Sequence, residues 1–233
     1  MTSFIRLNKF LSSSGISSRR GVEKIIFEKK VKINGYVVDQ PQKKIDSTKD
    51  LITVNNVVIR PEKKVYYLLN KPRGYVCSNS RIHPQEKIIN DLFPSSSRLF
   101  TIGRLDKTTV GLLLVTNDGD FAQRIIHPSN NLSKEYLIKT KQLITAEHLL
   151  TISSGIFIYK KLIKPVVVKK VRKSTFKIVI KEGKKHEVRL FCEKAGLEII
   201  LLKRIRLGPF QLGSIQEGTY RELTEKEKKS FLI

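Results

Sequence analysis

A chain of 233 residues, 40% of them hydrophobic, can bury one large core or two small ones, and 45 Lys+Arg against 21 Asp+Glu give it a formal net charge of +24. That imbalance calls for a polyanionic partner, with nucleic acid ahead of an anionic membrane. No apolar run approaches the roughly 20 residues of a spanning helix, Trp is absent, and the start MTSFIRLNKF lacks a secretory core, so the expected location is cytoplasmic and no membrane partner is expected.

In chain order, Phe4, Leu7 and Leu11 recur at helical spacing, and after Ser-Gly-Ile-Ser the set Val22, Ile25 and Ile26 predicts a second helix capped by Ser17 or Ser18. The polar face of this helix pair carries Arg6, Lys9, Arg19, Arg20 and Lys24. Val31-Lys32-Ile33 then alternates into Asn34-Gly35, a strong hairpin-turn signal, and Leu51–Val54, Asn55-Asn56 and Val57–Ile59 repeat the pattern. Charged, proline-bearing Arg60-Pro61-Glu62-Lys63-Lys64 reads as a linker, which divides the chain into domains 1–62 and 63–233. Residues 1–62 hold 12 Lys+Arg and 6 Asp+Glu, a balance of +6 that leaves +18 for the remainder, so both parts must face the polyanion.

Beyond the linker, Val65–Leu69, Leu99–Ile102, Leu112–Val115, Tyr136–Lys139, Val166–Val171 and Thr175–Ile180 read as strands, and Asp118–Ile126, Ala146–Ile152 and His186–Ala195 as helices. Ser95-Ser96-Ser97 reads as a loop, and Leu197–Leu202 as a core strand whose basic end, Lys203, Arg204 and Arg206, is exposed. Strands and helices that interleave without a βαβ repeat define an α+β class: a small helix-pair and sheet domain, then a mixed, mainly antiparallel sheet with helices packed on it.

Cys77 and Cys192 are too far apart for a CxxC pair and read as buried, reduced thiols. His83, His127, His148 and His186 have no metal-ligand spacing, and neither a Walker loop nor GxGxxG follows any strand. The chain is therefore expected to use no metal and no cofactor.

Two segments resemble known families. RLNKFLSSSGISSRRGVEKIIFEKKVKINGYVV, within about residues 4 to 60, resembles the small RNA-binding domain named after ribosomal small-subunit protein four. Taken singly, each arginine there could merely solvate a helix face; five basic positions on two short helices, followed by a Lys-rich strand, favour phosphate contact. YYLLNKPRG, GRLDKTTVGLLLVTNDGDFAQRIIHP, KEY and EGKKHEVRLFCEKAGLEIILLKRIRLGPF, in that order, resemble the rRNA-modifying branch of the pseudouridine synthases. Two departures are Leu190, where many relatives have arginine, and Glu187, where they have glutamine.

The resemblance implies that Asp106 is the essential catalytic aspartate, that Tyr136 packs on the target uracil, and that Arg189 pairs with the aspartate. It also implies that Arg104 holds RNA around an extruded nucleotide; Lys71 is counted among the RNA contacts, while Lys71-Pro72 fixes a turn under the site. His186, at i, i+3 from Arg189, reads as structural or RNA-contacting. Uridine becomes pseudouridine when the bond from uracil nitrogen to the anomeric carbon breaks, the base turns, and carbon five takes the sugar. Glycoside hydrolases manage a similar sugar cation with paired carboxylates; here the base is retained and water excluded, so one carboxylate suffices. It can attack the anomeric carbon or assist removal of a sugar proton. The implied partner is ribosomal RNA, a loop uridine of the large subunit ahead of the small, bound by a monomer. A non-catalytic RNA-binding or ribosome-assembly factor would share the composition, but it would have no use for an aspartate in a basic groove.

Overall fold

The computed structural model describes residues 4–94 and 98–231, so the expected Ser95-Ser96-Ser97 loop lies outside the described residues. Two compact units are distinguished: Met1–Val65 with Asn117–Gly119, and Tyr66–Thr116 with Asp120–Ile233.

The first unit contains β1 (Phe4–Arg6), α1 (Leu7–Ser13), α2 (Arg19–Phe27), β2 (Val31–Ile33), β3 (Tyr36–Val38), β4 (Lys44–Asp46), β5 (Ile52–Val54) and β6 (Val57–Val58). Phe4 corrects one expectation. It belongs to a strand, opposite Asp46, and its side chain is exposed; the backbone of residues 4–6 finds ladder partners in β4, and helix begins only at Leu7. The second helix starts as its sequence predicts, with Ser18 Oγ accepting from Gly21 N at 3.0 Å. Val22 and Ile26 turn inward to Leu7, Phe10 and Leu11, which leaves Arg19, Arg20 and Lys24 exposed. A bond from Asn8 Nδ2 to Glu23 Oε1 (2.9 Å) ties the helices together. β3, β2, β5 and β6 form a four-stranded antiparallel sheet. Both of its tight turns use residues that tolerate positive φ, Asn34 and Gly35 at 52° and 87°, Asn55 and Asn56 at 49° and 64°. Residues 59–65 have no regular structure, yet they are held: Asn117 Nδ2 donates to Lys63 O (2.9 Å) and Asn117 Oδ1 accepts from Val65 N (3.0 Å).

The second unit contains β7 (Tyr66–Lys71), β8 (Phe100–Ile102), β9 (Val110–Thr116), α3 (Gly119–Ile126), β10 (Lys134–Thr140), α4 (Ala146–Ser153), β11 (Ile156–Ile158), β12 (Lys161–Ile163), β13 (Val167–Arg172), β14 (Thr175–Ile180), α5 (Glu187–Lys194), β15 (Ile199–Leu207), β16 (Phe210–Gln211), β17 (Tyr220–Glu222) and α6 (Glu225–Lys229). Nine of these strands form one sheet, ordered β13-β14-β10-β15-β9-β7-β17, with β8 on β9 and β16 on β15. Every pairing in it is antiparallel except β15 with β9. All seven residues of β9 are buried, which is why VGLLLVT reads as a continuous apolar run and not as an alternation. Leu112 and Leu114 pack with Phe121, Ala122 and Ile125 of α3 and with Phe210 and Leu223. At the sheet's end, Arg221 grips both carboxylate oxygens of Glu227 (2.7 Å each) and holds that carboxyl down to about 2.

The parallel pairing sets Val110 opposite Lys203 and Gly111 opposite Arg204. Gly111 has φ of +104°, and a Cβ there would lie 2.2 Å from Arg204 O. Gly111→Ala is therefore expected to destabilise the protein by about 3 kcal/mol through strain and overpacking, read as a lower urea midpoint; an unchanged midpoint would mean that β9 slides freely past β15.

Candidate active site

Asp106 occupies the connection between β8 and β9, a loop tied down on several sides. Thr109 N donates to Asp106 O (3.0 Å), Gly74 N donates to Lys107 O (2.8 Å), and Leu105 N donates to Cys77 Sγ (3.4 Å). Beneath it lies Lys71, with no solvent exposure. Its Nζ donates to Thr109 O (2.9 Å), Pro72 O (3.0 Å) and Lys107 O (3.4 Å), and burial pulls its pKa down to about 8. The expected RNA contact of Lys71 is thus corrected: the ammonium is buried and enclosed by backbone carbonyls of the loop. Cys77 is only half-buried, against expectation, whereas Cys192 is buried and its thiol is pushed up to about 12 by burial.

Helix α5 supplies the groups that face the aspartate. His186, its N-cap, is held in the left-handed region at φ 57°, and its Nε2 lies 3.6 Å from Asp106 Oδ1. One helical turn on, Arg189 Nε lies 3.6 Å from Asp106 Oδ2. Arg189 Nη2 also donates to Thr108 Oγ1 (2.8 Å) and Thr109 Oγ1 (3.1 Å). The two threonines of DKTT therefore orient the guanidinium beside the carboxylate, which is 42% exposed and open to a ligand.

Asp106, Thr109, His186 and Arg189 line a cavity of about 770 Å³ together with Arg104, Tyr136, Lys134, Glu187 and Arg204. Tyr136, on β10, is buried and stands opposite Ile178 on one neighbouring strand and Arg204 on the other. Arg204 overturns a second expectation. It is buried, not part of an exposed basic end, and its Nε donates to Leu112 O at 2.8 Å. The signal was available: Arg204 shares strand parity with core residue Leu202. Burial raises the Glu187 carboxyl and lowers the Lys134 ammonium, the latter with help from the charge of Arg204. Both titratable groups stand in the cavity wall, and sequence reasoning missed Lys134 because KEY drew attention to its tyrosine alone.

Asp106, Tyr136, Arg189 and Arg104 are thus brought together around one cavity, with Lys71 supporting it from below. Arg6, Lys9, Arg19, Arg20 and Lys24 lie in the first unit, where all but half-buried Lys9 are exposed. Among the described residues no helix is long and apolar enough to cross a membrane.

A carboxylate flanked by a guanidinium and an imidazole, in a basic cavity with a buried tyrosine, is fit for chemistry at a sugar carried by a polyanion. Comparison with known proteins gives the same class. Residues 65–194 match the family model of RNA pseudouridylate synthase, and residues 5–52 match the S4 domain. A chloroplastic relative in Arabidopsis thaliana, SVR1, is 41% identical over 246 residues, which cover 97% of this chain and 60% of that protein. Ribosomal large subunit pseudouridine synthase B of Bacillus subtilis is 38% identical, covering 96% of this chain and 94% of its own. A crystal structure of a pseudouridylate synthase superposes with a TM-score of 0.69 at 30% identity, over 98% of this chain and all of the other. The chain belongs to the RNA pseudouridine synthases. It is an isomerase that binds RNA through its S4 domain.

Proposed function

We propose that this enzyme converts a uridine of large-subunit ribosomal RNA to pseudouridine, with Asp106 as its catalytic carboxylate. The observation that carries the reading is the bracketing of Asp106 by His186 and Arg189, 3.6 Å from its two oxygens, in the cavity that also holds Tyr136. The substrate class is supported by the B. subtilis relative, named for the large ribosomal subunit and matched over nearly its whole length.

In the reaction the N1–C1′ bond breaks, uracil turns within the cavity, a C5–C1′ bond forms, C5 gives up its proton, and N1, freed from the sugar, takes one up. Overall no atom is gained or lost. Both routes open to the carboxylate, attack on C1′ or removal of a sugar proton, place Asp106 against the sugar, with the Arg189 guanidinium 3.6 Å away to orient it. Extruding the nucleotide costs a few kcal/mol, less from a loop; stacking on Tyr136 returns roughly 1–3 kcal/mol. Arg104, with exposed Arg6 on β1 and Arg19, Arg20 and Lys24 on α2, contacts phosphate, which positions the RNA without reading its sequence.

The test is to map pseudouridine in ribosomal RNA from cells with and without the gene, and to restore the missing site by incubating the purified enzyme with large-subunit rRNA. One large-subunit uridine is expected to depend on the gene. An unchanged large-subunit map with a lost small-subunit or transfer-RNA site would overturn the substrate assignment.

A further inference from the structure

Of the two-residue hairpin turns among the described residues, three place both turn residues at positive φ, and the one of these in the second unit uses neither Asn nor Gly. β11 and β12 pair with Ile158 opposite Lys161, so the turn residues are Tyr159 and Lys160. Their φ values are 50° and 64°, the left-handed conformations that the first unit assigns to Asn34-Gly35 and Asn55-Asn56. A tyrosine and a lysine have no local hydrogen-bonding advantage there and crowd the backbone. Folding alone would favour Asn-Gly at this turn.

What the two residues provide is surface. Tyr159 is 85% exposed and Phe157, two residues before it on the outward side of β11, is 74% exposed. The surrounding charge is basic: Lys160, Lys161 and Lys164 are exposed on or just after the hairpin, and Lys181, Lys184 and Lys185 are exposed on the loop before α5. Glu182, the acid among them, is already paired with Lys161 at 2.8 Å. The hairpin also borders the catalytic cavity, because Lys161, Lys181, Lys184 and Lys185 all line it. An exposed aromatic ring within a lysine field is the arrangement that binds single-stranded nucleic acid, ring against base and ammonium against phosphate. Exposed aromatics facing a protein partner would sit among fewer like charges.

We infer that the β11–β12 hairpin is a second RNA-binding element, in which Tyr159 stacks on a base of the single-stranded RNA flanking the target uridine. The inference rests on the assignment of the cavity to an RNA uridine. Positive φ at Tyr159-Lys160 builds the tip from which the exposed ring projects, two residues before cavity-lining Lys161.

Two variants test it with purified full-length enzyme, an oligouridylate and a large-subunit rRNA transcript. Replacing the turn by Tyr159→Asn with Lys160→Gly relieves the backbone, so the melting temperature is expected to rise while affinity for either RNA falls about tenfold. Tyr159→Trp places a tryptophan in a chain that has none; RNA is expected to quench its emission, with affinity near that of the unaltered enzyme. The quench is also to be measured with Asp106→Asn added: its persistence there, with turnover lost, keeps the hairpin and the catalytic assignments separable. Unaltered RNA affinity in the Asn-Gly variant, or tryptophan emission unmoved by saturating RNA, overturns the inference.

Discussion

Asp106→Asn is expected to abolish pseudouridine formation, with a loss on the order of 10⁴-fold or more, while RNA affinity holds or rises. The exchange keeps side-chain size and removes the charge from a carboxylate whose oxygens lie 3.6 Å from Arg189 Nε and His186 Nε2. Neither proposed role at the sugar survives, since an amide neither attacks C1′ nor accepts a proton. Binding should respond in the other direction, because one negative charge leaves a cavity lined by Arg104, Lys134, Arg189 and Arg204. The experiment follows release of tritium from C5 of uracil in an rRNA transcript and measures affinity for the same transcript. Normal tritium release would remove Asp106 from the chemistry; equal losses of release and affinity would reduce it to a binding role.

Most of the path to this site was legible where one physical signal dominated. The buried strand β9 announces itself through an unbroken apolar run, α2 through Ser18 and the Val22–Ile26 spacing, and the first two hairpins through their Asn and Gly turns. The β11–β12 hairpin was missed because its turn residues are Tyr and Lys, which carry no turn signal. β16 and β17 were missed because two or three residues give no period to read. At the site, Asp106, Tyr136 and Arg189 came from specific strings, but local sequence says little about which lysine or arginine is turned inward. Lys71 and Arg204 were both assigned to the surface for their charge, and both are buried by the strands that carry them. In β7 and β15 the backbone sets the direction of the side chain; carbonyls then enclose the Lys71 ammonium, while Leu112 O takes Arg204 Nε and the buried Arg204 Nη2 has no hydrogen-bond partner among the described residues.

Lys71 therefore yields a prediction opposite to that of a surface cation. Lys71→Met should leave RNA affinity within about threefold, because the residue has no exposure, yet lower turnover about a hundredfold, the cost typical of a 1 Å misplacement of reacting groups. Its Nζ ties Pro72 O to Lys107 O and Thr109 O, which follow Asp106 in the loop, and methionine satisfies none of them. The same group sets a pH dependence. Burial lowers its pKa from 10.5 to about 8, so at pH 7 the ammonium holds all three protons. Above about pH 8 it loses one donor, and turnover by the unaltered enzyme should fall while that of Lys71→Met shows no matching step. Stability runs the other way: between about pH 8 and 10.5 the unfolded chain holds a proton that the folded chain has released, so this group's contribution to stability rises with pH through that window. The penalty for enclosing the charged form is about 3 kcal/mol below pH 8, and it fades as the proton leaves. Rates and urea midpoints of both proteins, taken across pH 7 to pH 10, separate the two effects. A large loss of RNA affinity in Lys71→Met would restore the surface role, and a parallel fall of both proteins' rates above pH 8 would assign the titration to another group.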